Sequence, residues 1–295
     1  MKARITKRNT NSVIVDINGK TVECALRGKL KQSTEIFVGD FAEVNTETLS
    51  IEKVYERKNR LIRPLVANID QMFIVVSHNP IVDLFLVDQM IMSAAEKEID
   101  TYIVINKEDQ NPKDFEEQIK REYAGVVKNI IVTSAENGSG IQILKKYFAN
   151  KMSVLVGQSG VGKSSLINKL TESKIQQTSE LSEKIKRGIN TTRTNQIFSI
   201  GGGMVIDSPG FSALSLGIIN PAFLAGKYTD FLPYATECEY RSCDHIHSEN
   251  CGVKKAVQEG AISQDRYKRY TILFEKYNDM WQNRYRRNKK GEKHK

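Results

Sequence analysis

Apolar and polar positions along this chain keep two different rhythms. Over the first sixty residues apolar side chains come in short runs, at Val13-Ile14-Val15, Val22 to Leu26, Phe41 to Val44 and Ile51 to Val54. Asn18-Gly19, Gly28 and Gly39-Asp40 punctuate them, which reads as turns between short strands. Closure into a small β-barrel is expected, because a barrel removes exposed sheet edges. From Ile69 the rhythm becomes strand then helix, repeated. Nearly all-apolar runs at Met72 to Val76, Thr101 to Ile105, Ile130 to Val132, Ser153 to Val156 and Met204 to Ile206 alternate with amphipathic stretches. Those stretches are Val82 to Lys97, Lys113 to Tyr123, Ile141 to Phe148 and Lys163 to Leu170. The alternation predicts a parallel sheet covered on both faces by helices. From about residue 215 the pattern is mostly helical, and Tyr267, Tyr270, Phe274, Tyr277 and Trp281 fall on one helical face. Three modules are expected, at 1–63, 64–214 and 215–295, the last ending in a basic tail from Arg284 to Lys295.

The second module carries a nucleotide site. Gly157-Gln158-Ser159-Gly160-Val161-Gly162-Lys163-Ser164 is a complete phosphate-loop pattern, placed after an apolar strand and before a helix. Its glycines let backbone N–H groups turn inward around phosphates, and the helix that follows presents its positive end to them. Lys163 is expected on the β- and γ-phosphates and Ser164 on Mg²⁺, with Ser165 in the same nucleotide-binding turn. The base is chosen elsewhere. Asn106-Lys107-Glu108-Asp109 follows the strand ending at Ile105, at the carboxyl edge where open α/β sheets bind ligands. The Asp109 carboxylate can accept from both N1–H and the exocyclic amine of guanine, a donor pair that adenine lacks. GTP is thereby favoured over ATP. Asn106 would contact the other edge of the base, Lys107 would lay its stem along the ring, and Ser134-Ala135 would back the base up. Asp207-Ser208-Pro209-Gly210 ends a strand where Asp207 can hold Mg²⁺ through water and Gly210 can offer its N–H to the γ-phosphate. Thr191 and Thr192 lie between, and one of them could bind Mg²⁺ as a switch residue.

Cysteine and charge change the picture at the ends. Three of the four cysteines fall within Cys238, Cys243 and Cys251, and with His245 or His247 they supply a tetrahedral ligand set with no open position. A structural metal follows, because the surrounding polar residues Glu237, Glu239, Arg241, Asp244 and Glu249 cannot bury three thiols as core. Cys24, alone in a strand pattern, reads as a small buried hydrophobe. The 295 residues carry a formal charge of +9. Residues 1–63 hold 13 basic and 8 acidic side chains and residues 252–295 hold 13 and 5, whereas the middle is net negative. A polyanion such as RNA would be gripped by the ends, with Arg266, Lys268, Arg269, Arg284, Arg286 and Arg287 as candidate phosphate contacts. No run approaches the roughly 20 apolar residues of a membrane span, and the first ten residues lack a secretory pattern, so a cytoplasmic location is expected.

The guanine-reading motifs precede the phosphate loop here, the reverse of the ordinary GTPase order. With that permutation, the β-rich start and the late Cys/His cluster, the whole chain resembles the circularly permuted, ribosome small-subunit-dependent GTPases of bacteria, the RsgA or YjeQ family. The resemblance implies an amino-terminal OB-fold, a central GTPase domain and a carboxyl-terminal zinc domain in which His245 is the fourth ligand. It also implies GTP hydrolysis during late maturation of the 30S subunit, with 16S rRNA as a contact; a monomer is expected. The family commonly has Gly-x-His-Thr-Thr, where this chain reads Gly188-Ile189-Asn190-Thr191-Thr192, and Phe211 follows Gly210 where many GTPases carry a water-positioning Gln. Asn190 can hydrogen-bond water but cannot become a charged acid. Slow intrinsic turnover, accelerated by a partner, is expected.

Overall fold

The computed structural model describes residues 1–17, 19–27, 35–61, 65–175, 196–207 and 220–292, without side chains at 172–175, 196 and 284–292. Asn190, Thr191, Thr192, Ser208, Pro209, Gly210 and Phe211 lie outside the described residues. Contacts gather the chain into two compact units, 1–82 with 97–111 and 131–213, and 83–96 with 112–130 and 214–295.

The first unit opens with strands β1 (Lys2–Arg8), β2 (Ser12–Ile17), β3 (Lys20–Leu26), β4 (Phe41–Asn45) and β5 (Ser50–Val54). They close in the order β1-β2-β3-β5-β4, β1 pairing back onto β4 and β3 running parallel to β5. This is the five-stranded barrel of an OB-fold. Period-two alternation fills its interior: Ala3, Ile5, Val13, Val15, Cys24, Leu26, Ala42, Val44 and Ile51 form one buried cluster. Cys24 is fully buried there, as a small hydrophobe. The 35–40 segment is tied to the barrel by Arg57, which donates to both carboxylate oxygens of Asp40 at 2.7 and 2.8 Å, while Phe37 N–H donates to Asp40 at 2.8 Å. A short hairpin, β6 (Arg60–Leu61) with β7 (Val66–Ala67), leads out of it.

The sheet that follows holds β8 (Gln71–Val76), β9 (Asp100–Ile105), β10 (Asn129–Val132), β11 (Met152–Val156), β12 (Gln196–Ile200) and β13 (Gly203–Asp207). Its order is β10-β9-β8-β11-β13-β12. Strands β9, β8, β11 and β13 pair in parallel, and β12 is an antiparallel edge on β13. Every residue of β8 and β11 is buried, as continuous apolar runs in a sheet centre require. Helices α3 (Ile141–Tyr147) and α4 (Lys163–Ile175) pack Ile141, Leu144, Leu166, Ile167 and Leu170 into one core with Phe73, Val75, Leu155 and Val205.

The second unit contains α1 (Leu84–Glu96), α2 (Lys113–Tyr123) and the carboxyl-terminal segment. That segment is less regular than the pattern predicts. Short 3₁₀ turns at Pro221–Phe223 and Ala225–Lys227 and a one-turn α5 (Leu232–Ala235) precede α6 (Gly252–Gln258) and the long α7 (Gln264–Glu292). Met92 of α1 shares a core with Leu224, Tyr228, Phe231, Val253 and, on α7, Tyr270, Leu273, Phe274 and Tyr277. The aromatic stripe is therefore a packing face. No described helix is long and apolar enough to cross a membrane.

Candidate functional site

Parallel register brings the phosphate loop, the base-reading loop and Asp207 to one end of the sheet. Val76 pairs with Ile105, Val156 with Ile74 and Leu155 with Asp207, so β8, β9, β11 and β13 all end at the same carboxyl edge. Two loop glycines are required by their surroundings. A Cβ on Gly157, at φ +142°, would lie 2.3 Å from the Val75 carbonyl, and one on Gly162, at φ +93°, would lie 2.4 Å from the Asn106 amide nitrogen. Lys163 folds over the loop, its Nζ donating to the carbonyls of Gly157 and Gln158 at 2.7 and 2.9 Å. Its burial lowers its pKa, and the charge of Asp207 opposes that.

Ser164 donates to Asp207 Oδ2 at a long 3.5 Å, and buried Asp207 Oδ1 takes no hydrogen bond from the described residues. Burial raises the Asp207 acid above its ordinary value, with Lys163 and Ser164 pulling it back. A partly desolvated carboxylate with an unmatched oxygen, beside a serine hydroxyl, fits a hydrated divalent cation. Ser159, Ser164 and Ser165 are exposed at the loop and the helix start, whereas Val161 is buried as part of the sheet core.

Asn106 does something the sequence reading did not assign to it. Its amide donates to the Val161 carbonyl at 2.9 Å, and its oxygen accepts from Thr133 Oγ1 and from Ala135 N–H, each at 3.3 Å. One buried side chain thus ties the base loop to both the phosphate loop and the Ser134 turn. Lys107, at φ +60°, donates from Nζ to the carbonyls of Asn79 and Gly160, each at 2.8 Å, which stretches its stem along the site. Glu108 enters through its backbone, N–H to the Thr133 carbonyl at 3.1 Å. Asp109 is exposed and accepts from Ser134 Oγ at 2.5 Å. That hydrogen bond, the largest cause, holds Asp109 below its ordinary value and so in the charged form that guanine recognition needs. Ser134 is itself held by N–H groups of Glu136 and Asn137, each donating to its oxygen at 3.2 Å. Asn111, which no motif marked, accepts from His78 N–H at 2.9 Å and donates to the Asn106 carbonyl at 2.8 Å.

In the second unit Cys238, Cys243, His245 and Cys251 bring their ligand atoms within 4.8 Å of one another. A tetrahedral ion with metal–sulfur bonds of about 2.3 Å and a metal–nitrogen bond of about 2.0 Å separates neighbouring sulfurs by about 3.8 Å and sulfur from nitrogen by about 3.5 Å. The cluster shows 3.8 Å between Cys238 and Cys251 Sγ, and 3.5 Å from each to His245 Nδ1. These residues can hold a metal ion. His247, the competitor, is exposed and bonds Asp244 at 2.6 Å through Nδ1 instead. Burial lowers the His245 pKa against the pull of Asp244, which keeps the imidazole in its neutral ligating form. The loop is anchored from α7: Tyr267 and Tyr270 hydroxyls donate to the carbonyls of His245 and Asp244, each at 2.6 Å.

The candidate RNA contacts divide. Arg266 is buried and Arg269 half-buried in ion pairs with Asp88, Asp230 and Glu122, so both guanidinium groups are already engaged, which corrects the expectation from charge. Lys268 is exposed, and Arg284, Arg286 and Arg287 have no described side chains. On the barrel, the charged groups of Lys2 and Arg4 stand 4.6 and 4.5 Å from the Phe41 ring centre, with Lys2 and Lys53 at 5.1 and 5.5 Å from that of Tyr55.

A phosphate-loop motif after one parallel strand, an Asp that could hold a cation at the end of its neighbour and an Asn-Lys-Glu-Asp loop that comes earlier in the chain fit a circularly permuted GTPase. The chain belongs to the RsgA GTPase family, whose model matches residues 54–217. It is 38% identical over 265 residues to a Thermotoga neapolitana protein named small ribosomal subunit biogenesis GTPase RsgA, covering 87% of this chain and 89% of that one. A Caldanaerobacter subterraneus protein of the same name is 37% identical, over 90% and 92%. Among solved structures, YjeQ from Thermotoga maritima superposes with a TM-score of 0.79 at 34% identity, covering 94% of this chain and 98% of that one. YloQ, described as a circularly permuted GTPase, gives 0.77 at 26% identity, with 95% of each chain covered.

Proposed function

We propose that this protein hydrolyses GTP to GDP and phosphate while bound to the small ribosomal subunit, assisting that subunit's late maturation, and that the subunit stimulates turnover. The observation that carries the reading is the pairing of Asp109, held charged by Ser134, with a phosphate loop tied to it through Asn106. Relatives across most of the chain are named for GTPase activity and small-subunit biogenesis.

Asp109 would accept from N1–H and the exocyclic amine of guanine. Lys163 would leave the loop carbonyls for the β- and γ-phosphates, whose negative charge replaces those neutral acceptors. Ser164 and Asp207 would hold Mg²⁺, which neutralises charge on the transferring phosphoryl group. Thr191 or Thr192 would complete that shell and Gly210 would sense the γ-phosphate. Catalysis is then positioning and electrostatics, and Asn190 takes the place of the family's His beside the attacking water.

The Cys₃His cluster would hold one structural Zn²⁺, the ion whose preferred softness and tetrahedral geometry that donor set matches. The Lys2, Arg4, Phe41, Lys53 and Tyr55 face of the barrel would contact 16S rRNA, because cations around aromatic rings suit a phosphate backbone with unstacked bases. The protein would act as a cytoplasmic monomer. GTP turnover with and without 30S subunits tests this reading, with Asp109→Asn as control. Strong stimulation that Asp109→Asn loses for GTP supports it; turnover that stays flat with 30S subunits present overturns the enzymatic part and leaves a nucleotide-gated RNA-binding protein.

A further inference from the structure

Strands β8 and β9 pair as far as Val76 and Ile105, and beyond that point one side chain takes the place of a backbone bond. In a parallel ladder, a residue that donates its N–H to one carbonyl of the partner strand accepts, at its own carbonyl, the N–H two places further along that strand. Asn106 N–H donates to the Val76 carbonyl at 2.8 Å, so the next rung would run from His78 N–H to the Asn106 carbonyl. The Asn111 amide stands in that rung instead. Its oxygen accepts from His78 N–H at 2.9 Å, and its nitrogen donates to the Asn106 carbonyl at 2.8 Å. A tight turn delivers it there: Lys107 is left-handed, at φ +60°, and its carbonyl accepts from the N–H groups of Gln110 and Asn111 at 2.9 and 3.0 Å. Only Asn and Gln side chains offer an acceptor and an N–H donor in the planar geometry of a peptide amide.

The inserted amide splays the chain that follows β8 away from the base loop. The turn it holds off, at 77–80, is where Lys107 is anchored. Lys107 Nζ donates at 2.8 Å to the Asn79 carbonyl, which also receives Ser77 Oγ at 2.9 Å, and at 2.8 Å to the Gly160 carbonyl of the phosphate loop. Asn106 is 1% exposed, so its carbonyl needs a partner. Without the amide, His78 N–H and the Asn106 carbonyl would meet directly. That closure would draw Asn79 toward the base loop and redirect the Lys107 stem. The geometry points to Asn111 as a positioning residue for guanine recognition, a spacer that sets the distance from the 77–80 turn to the base loop and thereby the line of the Lys107 stem. Every residue in this arrangement belongs to the first compact unit. The inference rests on the GTPase reading above.

GDP dissociation and the melting temperature of the full-length protein test it together. Asn111→Ala removes the spacer, Asn111→Gln keeps its chemistry on a longer stem, and Lys107→Met keeps the aliphatic stem without the ammonium group. Asn111→Ala should release GDP roughly five-fold or more faster, within the usual span of coupling between sites. Its melting temperature should stay within about 2 °C of the unaltered protein's, because the direct rung replaces the lost bonds. Asn111→Gln should recover part of the GDP affinity. Because the spacer acts through Lys107, Asn111→Ala combined with Lys107→Met should weaken GDP binding by less than the product of the separate losses. Unchanged GDP release from Asn111→Ala overturns the positioning role, and separate losses that simply multiply overturn its route through Lys107. A melting temperature that falls by several degrees along with affinity would reduce Asn111 to a structural residue. An unaltered protein that binds no GDP at all would overturn the GTPase reading instead.

Discussion

Single side chains in this site act through their neighbours' chemistry as much as their own. On the proposed reading Asp109 would read guanine only when ionised, and the Ser134 hydroxyl favours that form by holding its pKa down. A depressed carboxylate supports binding at all pH above its pKa and loses it as pH falls through that value. Ser134→Ala should therefore move the acid limb of GDP affinity to higher pH, toward the ordinary carboxylate range, with little loss at neutral pH; binding titrations from about pH 2.5 to 5.5 would show it. An unmoved limb would mean that the hydroxyl does not act on Asp109. Asp207 has the opposite sign. Its pKa is raised, chiefly by burial, so the nucleotide-free fold loses stability as pH rises from the ordinary Asp value through the raised one. Asp207→Asn should raise the melting temperature of the nucleotide-free protein by about 1–3 °C while weakening Mg²⁺-dependent GTP binding. A fall in both would show that the charge of Asp207 stabilises the empty site.

Helices and strands were legible in the sequence wherever burial is continuous or strictly periodic. The all-apolar runs of β8 and β11 and the amphipathic α2 lie where the pattern puts them, because each meets one core on a fixed face. Strand β1 shows no apolar run, since Lys2-Ala3-Arg4-Ile5-Thr6-Lys7-Arg8 sets only Ala3 and Ile5 among charged and polar positions, and β12 shows little of one because an antiparallel edge strand carries polar Gln196 and Ser199. The irregular 220–235 segment has no period to read: it is shaped by a ligand cluster and by what α7 offers it. Tyr270 is the clearest case, read as packing alone yet also donating to the Asp244 carbonyl from full burial. Tyr270→Phe keeps the packing and strands that carbonyl, so it should cost about 1–2 kcal/mol of unfolding free energy and speed metal loss to a chelator. Denaturant unfolding and a metal-release assay would measure the two effects, and a neutral result in both would reduce Tyr270 to a hydrophobe.

Across the chain as a unit, motifs were readable and pairings were not. Adjacent residues spell the phosphate and base loops, whereas the bonds that align them, Asn106 to Val161 or Ser134 to Asp109, span 55 and 25 residues and exist only once sheet order is set. Net charge misled for the same reason. Arg266 and Arg269 add to the positive end of the chain, yet their partners Asp88 and Glu122 stand 178 and 147 positions away and neutralise them. Among the described residues the barrel gathers cations beside aromatic rings, at Lys2, Arg4 and Lys53. None of the three belongs to the nucleotide site, so removing them separates RNA attraction from chemistry. Each phosphate contact releases condensed counterions, and log K falls with log salt at a slope of about −0.7 to −0.9 per contact. If these side chains meet RNA phosphates, Lys2→Ala with Arg4→Ala and Lys53→Ala should reduce the steepness of that dependence by about two to three and weaken small-subunit binding most at low salt. GTP turnover by the isolated protein should stay unchanged. The paired Arg266 and Arg269 cannot contribute to the slope, so the charge-neutral Arg269→Gln, Glu122→Gln variant should retain the full salt dependence. A slope that the barrel variant leaves intact would move the RNA-facing charge to the carboxyl-terminal tail.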